Sequence, residues 1–465
     1  MKKRILAAIL STVMVASLLV GCGSTSAEPA AAETETTEEA PAEEAAAETE
    51  EAAPVATGED PQIEKTIKIL SIWAEDYDNG ILINNICKRY KEEVNPNFNF
   101  EYELVSADNL KQKIATLAAS NDLPDVFVYE AGKPIVELIE ADKVVDIGAE
   151  LDKLGVAGNM EDSAVALLKN LSGTEQMYDL PLGLNVEGFY YNKALFEKAG
   201  IDKAPVTWDE FEAVLEKLSA AGIQPLTTGG ADKWGATRLV NAYTVRTMGA
   251  NAMRDAAEGT TQYTDEGYVA AAQKIQDWAD KGYFGQGVTT VDMTTAGTML
   301  MSGDAAIFYN GSWFVQDLNN ESANLAGADG IGFFNVPVVD EAVSPITEYS
   351  MNCGNIICFS KAKYDEASSY FLKYFVDQIG NEAMSTLGSL KGYKYTVDPG
   401  DVSGYTAGIM EEIGKSTSAF TWYEATMGSE VSTVTQENVQ TLLNGDMTAL
   451  EYMQSIQDAH DASAF

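Results

Sequence analysis

The segment AAIFYNGSWF, residues 305–314, runs as an apolar strand into Asn310, Gly311 and Ser312 and then presents Trp313. A ring on a polar, glycine-opened loop with no nucleophile beside it suits holding a molecule better than cutting one. The catalytic alternatives are thin. The chain has one histidine, His460, so a Ser-His-Asp or Cys-His mechanism would rest on it alone, and a zinc site with several histidines is excluded. Ser360 and Lys363 have Ser-x-x-Lys spacing without a companion motif, and neither a P-loop nor a dinucleotide fingerprint occurs. In EDYDNG, residues 75–80, starting a calcium loop at Asp76 puts Gly80 at the fifth position, where an oxygen ligand is required. That pattern fails. With acids so plentiful, a carboxylate pair hydrolysing a glycoside stays open as the enzyme alternative. No catalytic residue, cofactor or metal is expected.

The elements that must position such a loop begin after a long leader. Lys2, Lys3 and Arg4 precede an apolar run of secretory-signal length, giving a signal over residues 1–21. Its end, LVGC, resembles the lipobox of bacterial lipoproteins, which makes Cys22 the lipidated N-terminus. Residues 22–61 are rich in Ala, Glu, Thr and Pro, lack aromatic and basic residues and hold twelve negative charges. So little apolar surface cannot offset ordering entropy, and a disordered tether to the extracytoplasmic face of the cell membrane is expected. Taking the leader's +3 and the tether's −12 from the net −41 leaves −32 on the remainder. That balance argues against nucleic acid or an anionic lipid surface as a partner, leaving the lipid as the membrane contact. Cys87, Cys353 and Cys358 are odd in number and lack CxxC spacing; the last two lie in an apolar run and should pack as small hydrophobes.

The remaining roughly 400 residues exceed one hydrophobic core, so two lobes are expected. TIKILSIW, FNFEYELV and DVFVYE read as strands separated by helical spacing, the pattern of an α/β lobe with a mainly parallel sheet. In VTWDEFEAVLEKLSAAG, Thr207 and Glu210 form a capping box, Phe211, Val214, Leu215 and Leu218 make a buried stripe, and Gly222 stops the helix. Three further segments with helical spacing fill the C-terminal third.

LPDVFVYE, YDLPLGLNVEGFYYNKALFEKAGI, APVTWDEFEAVLEKLSAAGIQPL and MLMSGDAAIFYNGSWF occur in that order. Together they resemble the extracellular solute-binding proteins of ABC importers, in the sugar-binding branch that includes maltose-binding protein. The resemblance runs from about Ile67 to the end. It implies a two-lobed α/β fold of the periplasmic-binding-protein type II, with a hinge crossed more than once. Residues 62–183 plus 347–394 would form lobe 1, and 184–346 plus 395–465 lobe 2. It also implies a saccharide, foremost an oligosaccharide, as ligand, a monomeric receptor, and an ABC permease with its ATPase as partner. A sugar has an apolar C–H face and a rim of hydroxyls, which call for flat rings with carboxylates and amides. The candidates are Trp73, Glu75 and Asp76 after the first strand, and Tyr129 and Glu130 at the end of DVFVYE. Asn185 and Glu187 lie in the first crossing, Trp234 in the loop after TTGG, and Asn310 and Trp313 in the opening motif. Asn352 and Trp422 come from the returning segments. Alternatives stay open: Glu187 can pair with a lysine near the hinge, the tryptophans can close a core, and Tyr190 and Tyr191 read as packing. A peptide or a cationic amine held in an aromatic cage is the rival ligand.

Overall fold

The computed structural model describes residues 60–398 and 402–463. The signal, Cys22 and the tether up to Glu59 lie outside the described residues. Eleven strands among the described residues are β1 (Lys65–Ser71), β2 (Phe98–Leu104), β3 (Val126–Glu130), β4 (Leu180–Pro181), β5 (Asn185–Asn192), β6 (Gln224–Thr227), β7 (Ala305–Gly311), β8 (Ile331–Phe334), β9 (Glu348–Asn352), β10 (Asn355–Phe359) and β11 (Ser418–Phe420). They form two sheets.

The first sheet has the order β2-β1-β3-β10-β4. β1 pairs in parallel with both β2 and β3, and β10 returns antiparallel between β3 and β4. β3 sits near the centre, and its residues Val126 to Tyr129 are all buried, as a strand covered by helices on both faces requires. Helices Asn79–Arg89, Ala107–Ala119 and Glu366–Leu387 close over this sheet through Ile83, Ile86, Leu110, Ile114, Phe371 and Phe375. Cys87, Cys353 and Cys358 are reduced and buried in this core.

The second sheet has the order β11-β9-β5-β7-β6, with β8 also on β5. Its hub is β5, which is antiparallel to β7, β8 and β9. A separate core formed by Phe189, Phe211, Trp278, Tyr452 and their neighbours packs beneath it. Helix Trp208–Ala220 begins at the capping box expected of Thr207 and Glu210, with the Glu210 N–H donating to Thr207 Oγ1 at 3.2 Å. Such a cap contributes about 1 kcal/mol.

One boundary differs. β9, which the sequence places in the first lobe, pairs with β5 and β11 in the second sheet, so the chain returns to the first sheet between Asn352 and Asn355. The apolar pattern of EYSMN does not specify which sheet it joins; the long-range pairing with β5 does. The lobes touch at several points. Gly132 lies so close to the second lobe that a Cβ there would sit 2.4 Å from the Ala425 carbonyl oxygen. Arg254 Nη2 donates to the Asn170 carbonyl and Oδ1 at 3.1 and 3.0 Å.

Candidate functional site

β5 leaves the first lobe and carries Asn185 and Glu187 into the junction between the sheets. Glu187 is 0% exposed. Its Oε1 accepts from Arg238 Nη1 at 2.7 Å, Asn352 Nδ2 at 2.5 Å and Trp422 Nε1 at 2.8 Å. Its Oε2 accepts from the Tyr309 hydroxyl at 3.3 Å. Burial raises the Glu187 carboxyl, and Arg238 and Trp422 oppose that rise without cancelling it. For Arg238, burial works against the charge but Glu187 and Glu424 outweigh it, so its pKa is raised. Four convergent donors suit a carboxylate oxygen pair, and they offset part of the cost of burying it.

Around this ion pair stand three indoles. Trp234 opens the helix Trp234–Met248, and Arg238 follows one turn later on the same face. The guanidinium carbon lies 4.9 Å from the Trp234 ring centroid and 5.0 Å from that of Trp422. Trp234 and Trp313 meet with centroids 6.1 Å apart at 60°. Trp313 lies in the single turn Ser312–Phe314 that follows β7, and its ring folds back over Gly311. A Cβ on Gly311 would stand 2.1 Å from that ring, so only glycine lets the indole lie on the backbone.

Polar groups frame the rings. Ser312 Oγ donates to Asn185 Oδ1 at 3.0 Å, and Asn185 Nδ2 donates to Asn352 Oδ1 at 3.2 Å. Thr237 Oγ1 donates to Glu424 Oε1 at 2.9 Å. Ser312 and Trp313 also wall a pocket of about 500 Å³, counted to its open mouth, together with Asp78, Leu184, Lys391 and Met410. Buried Lys391 meets Asp78 there at 3.5 Å. First-lobe and second-lobe residues share this pocket, so it is part of the cleft.

Six of the expected residues are therefore drawn together: Asn185, Glu187, Trp234, Trp313, Asn352 and Trp422. Glu187 finds an arginine instead of a lysine, and Trp422 is buried with its N–H committed to Glu187, so both are engaged within the protein. Asn310 is buried with its Oδ1 accepting from the Gly311 N–H at 2.9 Å, which leaves its oxygen turned onto the backbone. Tyr129 is buried in the first core because β3 is covered on both faces. Glu130 is paired with Lys111 at 2.8 Å. Trp73 is half-buried against the first core, and Glu75 and Asp76 are exposed on the loop after β1. Arg238, Tyr309, Ser312 and Glu424 were not among the expected residues. The i, i+4 spacing of Trp234 and Arg238 was the signal available for the first.

The match to a known family covers residues 78–377, the family described as bacterial extracellular solute-binding protein. The chain belongs to that family. A solved chitin oligosaccharide binding protein superposes on this solute-binding protein with a TM-score of 0.77, at 25% identity over 86% of this chain and 98% of that one. The xylose/arabinose-binding protein of Haloferax volcanii is 25% identical over 61% of this chain and 62% of its own length. The multiple sugar-binding protein of Streptococcus mutans is 30% identical over 33% of this chain and 34% of its own length. The solute-binding protein spans a little over half the length, 56%, of the first curated relatives it matches, binding proteins of Brucella abortus and Brucella suis. Among the described residues, no helix is long and apolar enough to cross a membrane, and no His, Cys, Asp and Glu cluster is arranged to hold a metal ion.

Proposed function

We propose that the protein captures a saccharide between its lobes and hands it to an ABC permease driven by an ATPase, working as a monomer tethered through a lipid on Cys22. The observation that carries the ligand class is the tilted pair Trp234 and Trp313, set 6.1 Å apart beside the Asn185–Ser312–Asn352 hydrogen-bond chain. Flat rings meet the C–H face of a sugar, and amides and hydroxyls meet its rim. The relatives named for chitin oligosaccharide, xylose and arabinose, and multiple sugars support the same class. Ligand shifts the lobes toward the closed arrangement by binding it better than the open one, through rotation about the crossing segments. The Gly132–Ala425 and Arg254–Asn170 contacts are then part of the closed face offered to the permease. No bond is made or broken in the ligand.

Titration calorimetry against neutral mono- and oligosaccharides, short peptides and organic amines tests this. Binding of a neutral saccharide, with nothing from peptides or amines, is the expected result. Tight amine or peptide binding without a sugar response would overturn it, and release of reducing ends from an oligosaccharide would make the protein a hydrolase. Anchoring is read separately. The full chain should partition into membranes, and the Cys22→Ala chain should be released.

A further inference from the structure

Arg238 is a cation held in the way an aromatic cage holds a ligand. Its guanidinium lies between Trp234 and Trp422, with ring centroids 4.9 and 5.0 Å away. Two carboxylates flank it: Nη1 is 2.7 Å from Glu187 Oε1, and Nε is 3.7 Å from Glu424 Oε2. Indole faces on two sides with anions at the edge are the parts that capture an ammonium or guanidinium ion from solution. Here the chain supplies the ion itself. The side chain is 17% exposed, so the slot is not fully sealed from solvent.

We propose that Arg238 is the specificity-determining residue of the cleft. By filling the cation slot between Trp234 and Trp422, it closes the site to ammonium and guanidinium ligands and leaves the cleft-facing surfaces of Trp234 and Trp313 to an uncharged sugar ring. This inference rests on the saccharide reading above and narrows it to neutral sugars. Arg238 is already paired with Glu187 and faces Glu424, so an acidic sugar finds no unpaired cation in this cluster either.

The test uses the full chain and its Arg238→Ala variant, titrated with methylguanidinium, with tetramethylammonium and with whichever neutral saccharide the wild type binds. The wild type is expected to bind neither cation. The variant is expected to bind methylguanidinium at millimolar concentration. Its thermal midpoint, lowered because buried Glu187 loses its counter-charge, should rise by about 2 °C at tenfold excess over the dissociation constant. Arg238→Lys guards against simple unfolding, since it keeps the charge and loses the planar stack. It should fold, bind the saccharide roughly tenfold more weakly and take up no methylguanidinium. An Arg238→Ala protein whose midpoint does not respond to methylguanidinium overturns the proposal. So does a wild type in which tetramethylammonium competes with the sugar. Failure of the saccharide reading shows up separately, as a wild type that binds no sugar whatever the variant does with cations.

Discussion

Asp179 and Glu187 stand eight residues apart, on either side of the passage from the first sheet to the second, and both are buried, 3% and 0% exposed. Glu187 gathers a guanidinium, an indole, an amide and a phenol. At Asp179 burial pushes the carboxyl up to about 7, and its own backbone N–H works only weakly against that. A buried charge persists only where donors replace the lost water; otherwise the group holds its proton. The second lobe thus surrounds its buried acid with donors, while the first lobe leaves its own sparsely met, so that it holds its proton up to about pH 7. The passage between the sheets is therefore asymmetric: a hydrogen-bonded ion pair on the second-lobe side and a sparsely met acid on the first-lobe side.

The strongest way to break this contrast is Glu187→Ala. It strands Arg238 between two indoles with Glu424 at 3.7 Å as its remaining counter-ion. Breaking one partner of a buried ion pair costs about 3–5 kcal/mol. Urea unfolding should show that loss, and calorimetry should show saccharide binding gone. A stability change within 1 kcal/mol would mean that the cluster does not depend on this carboxylate.

Asp179 should supply the opposite behaviour. With its folded pKa raised from 3.8 to about 7, its contribution is fully present below the unfolded value and is lost as pH rises through 7. Three pKa units correspond to roughly 4 kcal/mol between pH 4 and 8. Asp179→Asn removes that titration. The variant should match the wild type near pH 4 and melt at a higher temperature at pH 8. Parallel melting curves for the two proteins across that range would show that Asp179 ionises in the fold at no cost.

Trp313→Ala separates binding from folding within the second lobe. A half-buried ring at the centre of the proposed recognition surface is worth about 2–3 kcal/mol of affinity, roughly 30- to 150-fold. The melting temperature should hardly move, because Phe314, and not Trp313, is the residue of this turn that packs into the neighbouring core. A large drop in melting temperature would assign the ring to the core.

Much of this architecture was legible locally. The Thr207–Glu210 cap, the stripe beneath it and the strand–helix alternation of the first lobe depend on neighbours within one turn or one strand, and they stand where the spacing put them. The sheet membership of β9 depends on a partner more than 160 residues away, Asn352 opposite Asn185, and local pattern carries no trace of it. Tyr129 illustrates the same limit. VFVYE is a continuous apolar run, so period cannot say which side chains face the core, and Tyr129 proves to be one of them. Loops with exposed rings drew attention to Trp234 and Trp313, whereas Arg238 lay hidden inside a helix whose role is ordinary packing. Its chemistry exists only because β5 brings Glu187 alongside it.

The smallest expected effect probes the first lobe's share of the cleft. Glu130 pairs with Lys111 at 2.8 Å, and Lys111 Nζ also reaches Ser432 Oγ of the second lobe at 3.5 Å. Both side chains of the ion pair are partly exposed, so solvent and salt screen the interaction, which is worth at most about 1 kcal/mol. Glu130→Gln frees Lys111 without removing its tie across the lobes. Saccharide affinity should change by no more than about threefold, and the change should fade as salt is raised. A loss as large as that of Trp313→Ala, persisting at high salt, would make Glu130 a direct ligand contact. The first lobe would then carry recognition of its own, and the asymmetry between the two lobes would fail.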